Sequence, residues 1–254
     1  MELAPEYPPR DPEPTPWGLW ATLGISGLII LANVLCGIVT TAGYVATMPK
    51  PESIVDPNQL VSNGTLVTLS ILFSSPVIFG LTFLFASLRR GPTVKEYLGI
   101  HEVDWKKIVK WLLILVFFAA ASDLLTLLMG RSIIQDFMSN IYSSADSKPL
   151  LWTAFVVAAP VSEEIFFRGF LFYGILKSSL GPKGAVVLSS LIWAPLHIQY
   201  DLYGILTVLA LGLLFGYARL KTNSIYIPIA MHALMNFIAS MEVMVQITLN
   251  SPAP

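Results

Sequence analysis

The sequence predicts an all-α, polytopic membrane helix bundle, and three observations carry that prediction. Apolar residues are in excess, they are grouped into runs of membrane-spanning length, and basic residues gather at one end of those runs. Of 254 residues, 55% are hydrophobic and 12% charged, whereas a soluble domain carries about 25% charged residues. So much apolar surface has no place inside one aqueous core. Against a requirement of about 20 residues per crossing, seven segments qualify: 17–47, 60–88, 108–130, 149–177, 184–200, 203–219 and 224–247. An eighth or re-entrant helix is left open. The fifth segment is short for a span, so it either tilts or ends inside protein. No internal repeat and no soluble domain stand out.

Taken in order, residues 1–16 are rich in proline and acids with Arg10 the one basic residue, the composition of a disordered tail. They lack the basic start and small-residue cleavage site of a secretory signal. Residues 17–148 hold the first three spans and their loops, 149–247 the core with the chemistry described below, and 248–254 a short tail. Between spans two and three, the charged stretch 91–107 with Pro92 and Gly99 suits a surface connection or an interfacial helix. Cys36 lies in an apolar run as the single cysteine, which excludes an intrachain disulfide. With a net charge of -1 there is no global field to attract nucleic acid, and none is expected as a partner.

Lys and Arg set the expected orientation. Arg10, Arg89, Arg90, Lys95, Lys106, Lys107, Lys110, Lys177, Lys183, Arg219 and Lys221 fall on the N-terminal side of the bundle, against Lys50, Arg131 and Lys148 on the other. The N-terminus is therefore expected in the cytoplasm and, with seven crossings, the C-terminus outside.

Charge inside an apolar segment is the informative signal, because an ionised side chain at the bilayer centre costs roughly 2.5 to 3.5 kcal/mol on insertion scales. Segment four carries three such groups within six residues, Glu163, Glu164 and Arg168. Glu164 and Arg168, four apart on a helix, are neighbours on one face and a natural ion pair. Glu163 is left without a partner in its own helix, as a candidate general base. His197 in segment five and His232 in segment seven are membrane histidines, the latter with Asn236 at i+4 on the same face. At about 1.5 Å per residue, Glu163, His197, His232 and Asn236 lie roughly 21, 20, 14 and 20 Å from the basic end of their segments. Four polar groups from three segments thus share a layer near mid-membrane. Each also has a plain structural reading: an architectural ion pair for Glu164 with Arg168, and interhelical hydrogen bonding for the histidines and the asparagine. Asp123 and Asn33 sit in apolar runs without a functional account.

Other hydrolase patterns fail. His101-Glu102 is followed at the required spacing by Trp105, not histidine, so the zinc metalloprotease helix is missing. Gly24-Ile25-Ser26-Gly27 has the short form of a rhomboid serine motif but no histidine near it, and no Gly-Asp pair of the membrane aspartyl type occurs.

Three motifs remain, in order. Glu163-Glu164-Ile165-Phe166-Phe167-Arg168, Trp193-Ala194-Pro195-Leu196-His197 and His232-Ala233-Leu234-Met235-Asn236 resemble the Glu-Glu-x-x-x-Arg, Phe-x-x-x-His and His-x-x-x-Asn signatures of the CPBP family. That family groups CAAX-processing and bacteriocin-processing proteins and is also called the type II CAAX prenyl endopeptidase or abortive-infection family. The resemblance covers about residues 149–240. Trp193 stands where the family usually has Phe, a departure expected to alter pocket shape more than chemistry.

The resemblance implies an intramembrane endopeptidase in which Glu163 and His197 activate water, His232 and Asn236 stabilise the oxyanion, and Glu164 with Arg168 hold the geometry. It implies no cofactor, with zinc on Glu163, His197 and His232 as the alternative. The metal-free form is favoured because no carboxylate is evident behind the histidines. The implied partners are the lipid bilayer and a peptide or protein substrate, prenylated in eukaryotic relatives and often unprenylated in bacterial ones. The expected location is an integral, multi-pass one: the plasma membrane of a prokaryote or an organelle membrane of a eukaryote. Two competing readings are a non-catalytic scaffold or immunity protein on the same fold and a polytopic transporter.

Overall fold

The computed structural model describes residues 17–48, 57–89 and 91–250. The expected tail 1–16 and most of the tail 248–254 lie outside them. Among the described residues there are helices and connections and no strands. In chain order the helices are α1 (Leu19–Thr47), the short α2 (Pro57–Val61), α3 (Gly64–Leu88), the short α4 (Val94–Leu98), α5 (Trp105–Leu128) and α6 (Asp136–Ser144). They are followed by α7 (Lys148–Leu176), α8 (Gly181–Trp193), α9 (Leu202–Thr222) and α10 (Tyr226–Asn250). Six of them, α1, α3, α5, α7, α9 and α10, are long and apolar enough to cross a membrane.

The outward faces of these helices are apolar. Leu31, Leu35 and Ile38 on α1, Phe73 on α3, and Phe117 and Leu128 on α5 are all exposed. In water such a band would drive aggregation; against lipid it is the matched surface. α4, capped by Thr93 and Glu96 in a reciprocal capping box, is the short helix anticipated in the loop 91–107.

The fifth apolar segment is not one continuous helix. α8 ends at Trp193, a 3-10 turn follows over Ala194–Leu196, and His197 already has non-helical backbone angles (φ -92°, ψ 46°). Pro195 accounts for the stop, because it has no N–H to donate and its ring clashes with the preceding turn. Asp201 then starts α9, accepting a hydrogen bond from the Gly204 N–H at 2.9 Å. The helix ends inside the protein, the chain goes on to Asp201 at the opposite end of the bundle in non-helical turns, and His197 sits on that bend rather than on a helix.

α7 is the central element. From Glu164 to Phe172 every residue is buried, and α7 packs against α1, α3, α8, α9 and α10. It is not a uniform α-helix: Thr153–Ala158 and Ile165–Leu171 are π-helical, on either side of the α-helical stretch Ala159–Glu164. The first wide turn precedes Pro160, whose ring needs room against the backbone four residues back.

Close approach of α1 requires Gly174. A Cβ built there would lie 2.2 Å from Thr22 Oγ1 and 2.8 Å from its Cβ, and β-branched threonine cannot turn out of the way. Gly174→Val is expected to push α1 off α7 and destabilise the protein by about 1–3 kcal/mol, read as a lowered unfolding midpoint of the detergent-solubilised protein.

Candidate active site

The two adjacent glutamates of α7 point to different surroundings, as consecutive helical residues must. Glu164 is fully buried. Its Oε1 accepts from Arg168 Nη1 at 3.0 Å and stands 2.9 Å from His232 Nδ1. Arg168, also fully buried, donates a further bond to the Gly212 carbonyl at 3.3 Å and lies over the Trp193 ring, 4.3 Å from its centroid, a cation–π contact. Glu164 thus joins α7 to α10, and Arg168 joins α7 to α9 and α8.

The Glu164 to His232 bond was not anticipated, and it corrects the expectation that no carboxylate backs the histidines. Ionised, the carboxylate has only acceptors, so Nδ1 carries the proton and Nε2 is left for the cavity. In the neutral ring that Nε2 is an acceptor. As imidazolium it is a donor, with the positive charge offset by Glu164.

Glu163 is only half-buried. Its Oε2 accepts from the Trp193 indole N–H at 2.7 Å, so the group left without a partner in its own helix has one on another. This also revises the reading of Trp193, whose departure from Phe touches the chemistry directly, because phenylalanine has no N–H. The His197 Nδ1 is 3.3 Å from the Trp193 carbonyl, and the Trp193 ring stands 4.9 Å from the His197 ring and 5.5 Å from the His232 ring, centroid to centroid. Trp193 is therefore the common neighbour of Glu163, His197, His232 and Arg168.

Two cavities meet here. The smaller, about 200 Å³, is lined by Glu163 and His197 together with Ile29, Asn33, Ser75 and Phe167. The larger, about 660 Å³, is lined by His197, His232 and Asn236. His197, Trp193 and Gln199 belong to both walls. Asn33, which had no account in the sequence, is a polar point in the smaller cavity. Asp123 faces the larger one and is hydrogen-bonded to Glu242 of α10, a pairing invisible in sequence because the two residues are 119 positions apart.

Asn236 uses one amide N–H on the Phe155 carbonyl of α7, at 2.8 Å. That carbonyl belongs to the first π-helical turn, where the ordinary helical partner is displaced. The second π-helical turn has a matching cap: Arg219 Nε–H donates to the Arg168 carbonyl at 3.0 Å. The sequence suggested that Arg219 is one more charge at the basic end of the bundle. It is instead 1% exposed, with its guanidinium against Gly99, whose φ of +72° only glycine adopts easily and where a Cβ would lie 2.1 Å from Arg219 Nη2. Nothing in the local pattern, a basic residue in the last turn of an apolar helix, distinguishes it from a solvated one.

Among the described residues no three His, Cys, Asp or Glu side chains are grouped closely enough to hold a metal ion. Of the three candidate zinc ligands, Glu163 lines the smaller cavity, His232 the larger and His197 both, and the bond to Glu164 leaves His232 Nε2 free.

Removing one partner of the buried pair leaves the other charged and unsatisfied. Arg168→Ala is expected to lower stability by about 3–5 kcal/mol, and the double variant Glu164→Gln, Arg168→Met to recover part of that loss in the same unfolding assay.

Residues 145–238, which contain Glu163, Glu164, Arg168, His197, His232 and Asn236, match the family model described as type II CAAX prenyl endopeptidase Rce1-like. No curated protein and no solved structure matches the chain.

Proposed function

With residues 145–238 belonging to the CPBP family of type II CAAX prenyl endopeptidase-like proteins, we propose that the chain is an intramembrane endopeptidase in which Glu163 and His197 activate the attacking water. The observation that carries this reading is the shared wall: Glu163 and His197 line one cavity, and His197, His232 and Asn236 line the other. A water held between Glu163 and His197 loses its proton to Glu163 as its oxygen attacks the scissile carbonyl. The proton is then delivered to the leaving amine as the C–N bond breaks, so Glu163 ends the cycle as it began.

The developing oxyanion needs donors on the far side of His197. His232 supplies Nε2–H as imidazolium, steadied by Glu164, and Asn236 supplies the amide N–H not used on Phe155. Trp193 is a positioning residue: its N–H holds one Glu163 oxygen, which directs the other toward the cavity. Arg168 acts further back, keeping Glu164 in place. We favour a metal-free reaction, because Glu163 and His232 line different cavities and the zinc alternative would have to bring both together with His197 around one point.

The substrates are peptide bonds of membrane-associated peptides or proteins, with the prenylated C-terminal tail of the family name as one class to be tested. The test is cleavage of quenched fluorescent peptides, prenylated and unprenylated, by the purified protein in detergent. Glu163→Ala and His197→Ala are expected to lose about 10²–10⁴-fold in turnover while keeping the wild-type unfolding midpoint, and a zinc chelator to leave wild-type turnover unchanged. Full turnover in folded Glu163→Ala would sink the mechanism, and no cleavage by folded wild-type protein would favour a non-catalytic scaffold.

Trp193→Phe separates positioning from shape. A hydrogen bond to a charged group contributes about 1.5–3 kcal/mol, so kcat is expected to fall about ten- to a hundredfold with KM little changed. A change confined to KM would leave Trp193 with a packing role only.

A further inference from the structure

The cleft is open at one end of the bundle and sealed at the other. On α9 the lining of the larger cavity runs from Asp201, at the start of the helix, to Phe215 and stops seven residues before Thr222, about 10 Å short of that end. On α10 it begins at His232, about 9 Å in from Tyr226, and continues to Val243. α5 contributes only Ser122, Asp123 and Thr126, in its last turns, followed by the loop from Arg131 to Gln135. The mouth is polar: Ser132, Gln135, Asp136 and Gln199 stand around an ion pair between Arg131 and Asp201, both well exposed.

At the opposite end the site is closed by packed side chains. Leu98, Phe170, Phe172, Ile225, Ile227 and Met231 are each at most 1% exposed. Two bonds tie the loop after α4 across this end, from Ile225 N–H to the Gly99 carbonyl at 2.8 Å and from the Ser224 hydroxyl to the His101 carbonyl at 2.7 Å. The sealed end is also the basic one. Lys106, Lys107, Lys110, Lys177, Lys183 and Lys221 all lie there, whereas among the described residues Arg131 and Lys148 are the basic residues on the side of the mouth. Short loops rich in Lys and Arg are retained in the cytoplasm.

We propose that the cleft admits substrate from the non-cytoplasmic side of the membrane, and that the substrates are unprenylated peptide segments presented at that surface. This rests on the protease reading and narrows it. Prenyl groups are attached to C-terminal cysteines in the cytosol, and a tail modified there meets the sealed, basic face.

The test combines labelling with cleavage. In a Cys36→Ser background, Ser132→Cys at the exposed mouth of the cleft and Lys107→Cys at the exposed basic end are introduced singly into the full chain, and intact bacterial cells expressing each are treated with a membrane-impermeant maleimide. Ser132→Cys is expected to label in intact cells, and Lys107→Cys only after permeabilisation. A membrane-impermeant, unprenylated quenched peptide that the purified enzyme cleaves, added outside intact cells, is expected to be cut, with at least about a hundredfold loss in Glu163→Ala. The reverse labelling pattern overturns the proposal even if the purified protein is an active protease. So does a peptide cut only after permeabilisation. Expected labelling with no cleavage of any peptide by purified protein overturns the protease reading, and the substrate assignment with it, while the orientation of the cleft stands.

Discussion

Glu164 and Arg168 are buried completely in a bundle whose outside is lipid, so only protein can replace the hydration each has lost. The arrangement answers this with neighbours from three other helices: His232 from α10 on the carboxylate, the Gly212 carbonyl from α9 on the guanidinium, and the Trp193 face from α8 beneath it. Such an ion pair adds little net stability compared with apolar packing. Its value is specificity of assembly, because α7, α8, α9 and α10 must meet in one register for these contacts to form together. The catalytic side chains proposed here stand on those same helices or on the bend that follows α8.

The two π-helical turns of α7 extend the same principle to the backbone. Each releases a carbonyl that must find a donor, since none is available from lipid. Asn236 and Arg219 supply them, from α10 and α9. Asn236 thereby joins α10 to the helix bearing both glutamates while also lining the larger cavity.

Trp193 gathers what would otherwise be separate features. Its indole N–H reaches Glu163, its carbonyl reaches His197, and its ring touches Arg168 and both imidazoles. The short α8 makes this possible. By ending at Trp193, ahead of Pro195, it leaves His197 on a bend at the junction of two cavities, a position that a continuous helix would deny it.

How much of this was legible in one dimension differs from residue to residue. The spans around α1, α3, α5, α7, α9 and α10 follow from hydropathy and length alone, because lipid imposes a minimum apolar run on every crossing. Glu163, Glu164, Arg168, His197, His232 and Asn236 stood out for the complementary reason, that polar groups in such runs carry a cost which demands a partner or a purpose. The Glu164 to Arg168 pair was readable because four residues on one helix is a contact distance. What joined helix to helix was not. The bonds from His232 to Glu164 and from Trp193 to Glu163, the pairing of Asp123 with Glu242, and the burial of Arg219 against Gly99 connect positions from 30 to 120 residues apart. Those contacts depend on how whole helices rotate and pack, and hydropathy fixes depth along a helix axis but not the direction in which a side chain points around it. Sequence by itself determined which groups lie at mid-membrane; the packing of the bundle decided which of them touch and at which end the cleft opens.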